Sequence, residues 1–129
     1  MTNSLVVSCL LMATTWLSAQ QPQKAQEPTK FMTTYEMRQQ AGKELEATEK
    51  DMAAVLSKLE SLLYEDTQKT KLKASQEAWL AYRKFNSDFE AFFWDGGTGL
   101  PQIHLQAITR MTKARIKELQ QIIADNFGH

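Results

Sequence analysis

The chain has 129 residues, room for one domain, and its 15 Lys plus Arg balance its 15 Asp plus Glu. That neutrality excludes the basic footprint of a nucleic-acid binder and leaves no net field to steer the chain toward a strongly charged partner. The single cysteine, Cys9, excludes a disulfide framework and a thiolate metal site.

The N-terminus MTNSLVVSCLLMATTWLSAQQ carries an apolar run from Leu5 to Leu17, followed by Ser18-Ala19 and a polar change of composition. The run is too short to span a bilayer and matches a signal-peptide core, with Ala19 as the small residue before cleavage. Residues 1–19 therefore read as a signal peptide, which predicts a periplasmic or secreted protein; retention as an uncleaved anchor is the alternative. Val6-Val7-Ser8 is a poor lipobox and little apolar sequence precedes Cys9, so a lipoprotein is not expected. No charged residue lies in this segment, and neutrality survives its removal. Residues 20–30 contain QQPQKAQEPT, a polar stretch with Pro22 and Pro28 that reads as a flexible tether.

Residues 31–129 form the predicted domain, with three helical patterns. The first runs from Phe31 to Tyr64, with Leu45, Met52 and Leu59 seven residues apart and Val55, Leu56, Leu62 and Leu63 filling the stripe. Asp66 or Thr67 is the expected N-cap of the second helix, which runs to Trp94. Its expected apolar face is Ala78, Trp79, Tyr82, Phe85, Phe89, Phe92 and Phe93. Asp95-Gly96-Gly97-Thr98-Gly99 stops the helix, because each glycine costs about 1 kcal/mol relative to alanine. Pro101 suits the first turn of a third helix carrying Ile103, Ile108, Met111, Ile116, Leu119, Ile122 and Ile123, closed by Gly128. Short connections between helices roughly 40–50 Å long predict an all-α, elongated, antiparallel three-helix bundle.

Catalytic and cofactor signatures are missing. His104 and His129 are the only histidines, and HExxH, CxxC, GxSxG and a strand-borne phosphate loop are all lacking. The GGTG stretch has no strand before it and no Lys after it, so it reads as a turn. These features argue against an enzyme, a cofactor or a metal centre. A small hydrolase would need paired carboxylates across a cleft.

LKASQEAWLAYRKFNSDFE in the second helix resembles the core of the lysozyme inhibitor LprI-like N-terminal domain family, small exported or lipid-anchored bacterial helical modules. The matching residues are Leu72, Lys73, Gln76, Ala78, Trp79, Tyr82 and Arg83. Met37, Ala41 and Leu45 agree upstream, as do the Gly96-Gly97-Thr98 turn and Met111-Thr112-Lys113-Ala114-Arg115 downstream. The likeness covers residues 35–120. Family members commonly carry cysteines where this chain has Gln40, Ser87 and Ala107, and an Asp where it has Lys84. The loss of those cysteines together fits a domain without the family's disulfides.

The resemblance implies a non-enzymatic protein-binding module of the cell envelope, with lysozyme as a partner of some members. The alternative is an envelope scaffold without effect on lysozyme. Within the motif, Gln76, Trp79, Tyr82, Arg83, Thr112 and Arg115 read as structural. Trp79 and Tyr82 are expected in the core, and Arg115 is expected to pair with a carboxylate on a neighbouring helix. The candidate partner surface is the aromatic and glycine-rich end, Phe93, Trp94, Asp95, Gly96 and Gly97, continuing to His104, because three adjacent aromatics cannot all be buried against one neighbour.

Overall fold

The computed structural model describes residues 31–128. The expected signal peptide and tether lie outside the described residues. The described chain is all-α: α1 spans Thr34–Leu62, α2 Asp66–Phe92 and α3 Leu100–Phe127. No strand occurs among the described residues.

Local chemistry sets the boundaries. Phe31 and Met32 stay outside α1 because Thr33 is its N-cap. The Glu36 backbone N–H donates to Thr33 Oγ1 at 3.2 Å, and the Thr33 N–H donates to Glu36 Oε2 at 2.8 Å. This reciprocal pair satisfies two donors that a helix start would otherwise leave open. The α2 cap is Glu65 rather than Asp66 or Thr67, with its N–H donating to Gln68 Oε1 at 3.4 Å. Asp66 thereby becomes the first residue of the helix, where a negative charge meets the positive end of the dipole. At the start of α3, Pro101 occupies the first turn, where its missing N–H costs nothing.

The helices alternate in direction, and α3 is the central element: both α1 and α2 pack along it. The sequence leads one to expect α1 and α2 to be close neighbours through their short connection. They instead meet mainly through side chains that reach the same core. At one end Met52, Leu59 and the fully buried Leu119 form that core, with Val55, Leu56, Leu63, Leu72, Trp79, Ile116, Ile123 and Phe127 packed around them.

At the other end the buried residues are small or hydroxyl-bearing: Ala41, Thr48, Ser87, Ala91, Ala107, Thr109 and Thr112, beside Met111. Each buried hydroxyl donates to a carbonyl of its own helix: Thr48 to Glu44, Ser87 to Lys84, Thr109 to Leu105 and Thr112 to Ile108, at 2.8–3.0 Å. Such back-bonding satisfies a hydroxyl without a partner helix, so these positions pack like small apolar residues. Ser87 and Ala107, two of the positions where family members commonly carry cysteine, are both buried here, while Gln40 is exposed.

The face that α2 buries differs from the one its hydrophobicity predicts. The residues turned to the bundle are Leu72, Gln76, Trp79, Arg83, Asn86, Ser87, Glu90 and Ala91. Of the expected apolar face only Trp79 joins the core. Ala78 is exposed, and Tyr82, Phe85, Phe89 and Phe92 are 58%, 69%, 62% and 67% exposed. Small residues at 87, 91 and 107 allow close approach between α2 and α3, which bulky aromatics at those places would prevent. The aromatics therefore occupy a second stripe, turned by roughly a third of the helix circumference from the first.

Candidate functional site

The motif residues of α2 and α3 meet in one polar layer across the bundle. Arg83 donates from Nη1 to Glu49 of α1 and to Thr112 Oγ1 of α3, the latter at 2.9 Å. Its guanidinium lies 5.0 Å from the centroid of the Trp79 ring. The Arg83 side chain is 17% exposed and Glu49 42%, so this ion pair is shielded on one side only. Arg83 thus joins all three helices, with Trp79 supplying an aromatic face beneath the charge.

One turn of α3 further on, Arg115 makes a second layer. It donates from Nε to Gln76 Oε1 at 3.4 Å and from Nη2 to Ser75 Oγ at 2.8 Å, and it pairs with Glu118 at 3.1 Å. The expected carboxylate on a neighbouring helix is therefore a carboxylate on Arg115's own helix. The cross-helix ion pair belongs to Arg83. Tyr82, expected in the core beside Trp79, points outward, because residues three apart differ by about 60° around a helix.

Glu49 had no place in the sequence motif, although it completes the Arg83 contacts. It lies among the charged residues of α1 in the heptad between Leu45 and Met52, where periodicity marks the stripe but not its polar edge. No buried side-chain polar atom among the described residues lacks a hydrogen-bond partner.

The aromatic and glycine-rich end forms a distinct surface. Phe93, Trp94, Asp95, Gly96 and Gly97 are all exposed. Phe93 sits edge-on to Phe89 and Phe92, at centroid distances of 5.2 and 6.0 Å. Gly96 adopts φ +78°, a conformation that reverses the chain and that a side chain resists. The Gly96 N–H donates to Asp95 Oδ1 at 3.0 Å. Gly97, Thr98 and Pro101 face Thr34, Tyr35 and Arg38 across a hollow of about 440 Å³, so the turn leans on the first turn of α1. His104 does not belong to this projecting surface. It lies within α3 and is half-buried.

His104 faces Ser87 and Asp88 of α2, an arrangement with the residue types of a hydrolytic triad. Its Nε2 lies 3.2 Å from Ser87 Oγ and 3.0 Å from Asp88 Oδ1. A relay needs the carboxylate on one ring nitrogen and the hydroxyl on the other. Here both partners share Nε2, the Ser87 hydroxyl donates to the Lys84 carbonyl, and Ser87 is fully buried. The cluster ties α2 to α3 instead. Lys84, at 2.7 Å and foremost, holds the Asp88 carboxyl below its ordinary range, and the His104 hydrogen bond adds to the effect.

A shallow groove of about 740 Å³ runs beside α3, floored by Ile103, Ala107 and Ala114. On its charged rim Arg110 pairs with both oxygens of Glu90 and Lys113 with Glu44, while Lys117 makes no ion pair among the described residues. Among the described residues, no three His, Cys, Asp or Glu side chains are placed to hold a metal ion, and no helix is long and apolar enough to cross a membrane.

Comparison with known proteins agrees with the motif. No curated protein and no solved structure matches the chain. A family model described as lysozyme inhibitor LprI matches residues 24–119, spanning the Trp79–Arg83 layer, the glycine turn and the Thr112–Arg115 pair. The chain belongs to the lysozyme inhibitor LprI family.

Proposed function

We propose that this chain is an exported, non-enzymatic protein-binding module of the bacterial cell envelope that inhibits lysozyme. Membership in the family supports a protein partner of this kind. The observation that carries the choice of surface is the exposed Phe93-Trp94-Asp95-Gly96-Gly97 end, where an aromatic pair and an acidic residue sit on a sharp turn. Aromatic anchors on a preorganised turn supply contact area at low conformational cost, as binding hot spots require. Inhibition works by obstruction: the turn enters or covers the sugar-binding cleft, and α2 and α3 hold it rigidly from both sides. The Arg83 and Arg115 layers serve that rigidity and do not touch the partner.

Cell-wall lysis assays with several lysozymes test the reading. The full chain is expected to slow lysis, and Trp94→Ala to weaken inhibition at least tenfold while its helical circular dichroism stays unchanged. If a large molar excess leaves the lysozymes fully active, inhibition of those enzymes is ruled out. Inhibition unaffected by Trp94→Ala would move the contact away from the turn.

A further inference from the structure

The exposed aromatic stripe of α2 is the largest feature that neither the core nor the glycine turn accounts for. Its residues follow an unbroken 4-3-4-3 spacing: Lys71, Ser75, Ala78, Tyr82, Phe85, Phe89 and Phe92. That is the seven-residue seam of a coiled coil, on a helix whose other face is already occupied by the bundle. We propose that two copies of this chain associate through this stripe, with α2 packed antiparallel against α2 of the second copy.

Three properties of the stripe select a second copy as its occupant. The first is steric. Its N-terminal half is small (Ser75, Ala78) and its C-terminal half is bulky (Phe89, Phe92). An antiparallel pair sets Ser75 against Phe92, Ala78 against Phe89 and Tyr82 against Phe85, each twice, so every large ring meets a small or matching residue. A parallel pair would stack large on large at one end and leave a gap at the other. The second is charge. The same register brings Lys71 of one copy to the C-terminal end of the other's α2, where Asp95 stands in the turn just beyond Phe92. Neither Lys71 nor Asp95 forms an ion pair among the described residues, and no charged residue interrupts the seam between them. The two-fold axis turns this into two identical bridges that close both ends.

The third is area. Tyr82, Phe85, Phe89 and Phe92, the four rings of the seam, are each more than half exposed. At about 200 Å² per aromatic side chain, together they present on the order of 500 Å² per copy. Covering that surface on both copies removes about 1,000 Å² from water, the size at which specific protein interfaces begin. Trp94 lies off the seam, and the two glycine turns sit at opposite ends of the pair. Asp95 belongs to both contacts, whereas Phe85 belongs to the dimer alone and Trp94 to the lysozyme contact alone, so those two positions separate self-association from lysozyme binding.

Sedimentation velocity of the full chain over a wide concentration range tests the proposal. A reversible monomer–dimer equilibrium is expected. Phe85→Glu and Phe89→Glu should each shift the chain to monomer while its helical circular dichroism is retained. Lys71→Asp should weaken the dimer at least tenfold, and Lys71→Asp combined with Asp95→Lys should restore it, which non-specific aromatic clustering would not do. A chain that remains monomeric throughout overturns the proposal, as does a dimer indifferent to Phe85→Glu or one that the charge swap fails to restore. Equally, a monomer whose lysozyme binding is lost with Phe85→Glu would assign the stripe to lysozyme and overturn it. Trp94→Ala should leave the dimer intact, so loss of inhibition and loss of dimer read out separately.

Discussion

Replacing Arg83 with methionine tests whether the family motif is structural or a contact for the partner. Methionine keeps most of the apolar stem and removes the guanidinium with its three contacts. The hydrogen bond to Thr112, made by a charged donor, contributes about 1.5 kcal/mol. The stacking on Trp79, with the guanidinium 5.0 Å from the ring centroid, contributes about 0.5–1 kcal/mol. Glu49 is 42% exposed, so solvent screens its pair with Arg83 and the contribution falls to about 0.5 kcal/mol. Thr112 still donates to the Ile108 carbonyl, so no orphaned hydroxyl is left in the core. The sum is about 2–3 kcal/mol, which for a domain of this size lowers Tm by roughly 10 °C. Urea unfolding followed by circular dichroism reads the change, with an unchanged slope expected. A cycle with Thr112→Val should give a coupling energy of about 1 kcal/mol. A loss below about 0.5 kcal/mol, the range of ordinary surface substitutions, would refute the structural reading. Loss of lysozyme inhibition with unchanged stability would make Arg83 part of the contact.

Leu119→Ala empties the centre of the Met52–Leu59–Leu119 core and should cost about 3–4 kcal/mol in urea unfolding; a cost under about 1 kcal/mol would mean that the core collapses around the gap. Gly96→Ala meets open space but forces φ +78° on a side chain, so it should lose about 1 kcal/mol through backbone strain alone. Asp88 gives a pH dependence. Its folded pKa lies below its unfolded one, chiefly through Lys84 and further through His104. Its stabilisation is therefore fully present above the unfolded value and is lost as pH falls through the folded value. Asp88→Asn should flatten the fall in stability between neutral and strongly acidic conditions. Glu36 and Glu46, whose pKa values are also lowered, remain in both proteins, so matching acid profiles would remove Asp88 from the account.

Much of the site was legible in the sequence, because motif residues at helical spacing must share a face. Gln76, Trp79 and Arg83 do so on α2, and Thr112 and Arg115 do so on α3. Their joining across helices depends on which residues come level when the helices dock, and that is a property of packing. Glu49 entered the layer for this reason, and Arg115 found its carboxylate one turn along its own helix. His104 lies past the end of the turn, where sequence proximity suggests one surface. The docking of α3 against α2 places it instead on Ser87 and Asp88.

By itself the sequence determined the helical class, the three segments and the punctuation between them. Those follow from interactions within a few residues: apolar spacing, caps, and the glycine and proline that a helix resists. It did not determine which face of α2 is buried, because that helix carries two stripes at the same period. Hydrophobicity favours the aromatic stripe for the core. The tertiary structure buries the other, from Leu72 to Ala91, since small residues there let α2 approach α3 and place Arg83 over Trp79. Periodicity fixes how side chains are arranged around one helix; the fit between two helices decides which arrangement turns inward, and that fit left four aromatic rings facing solvent.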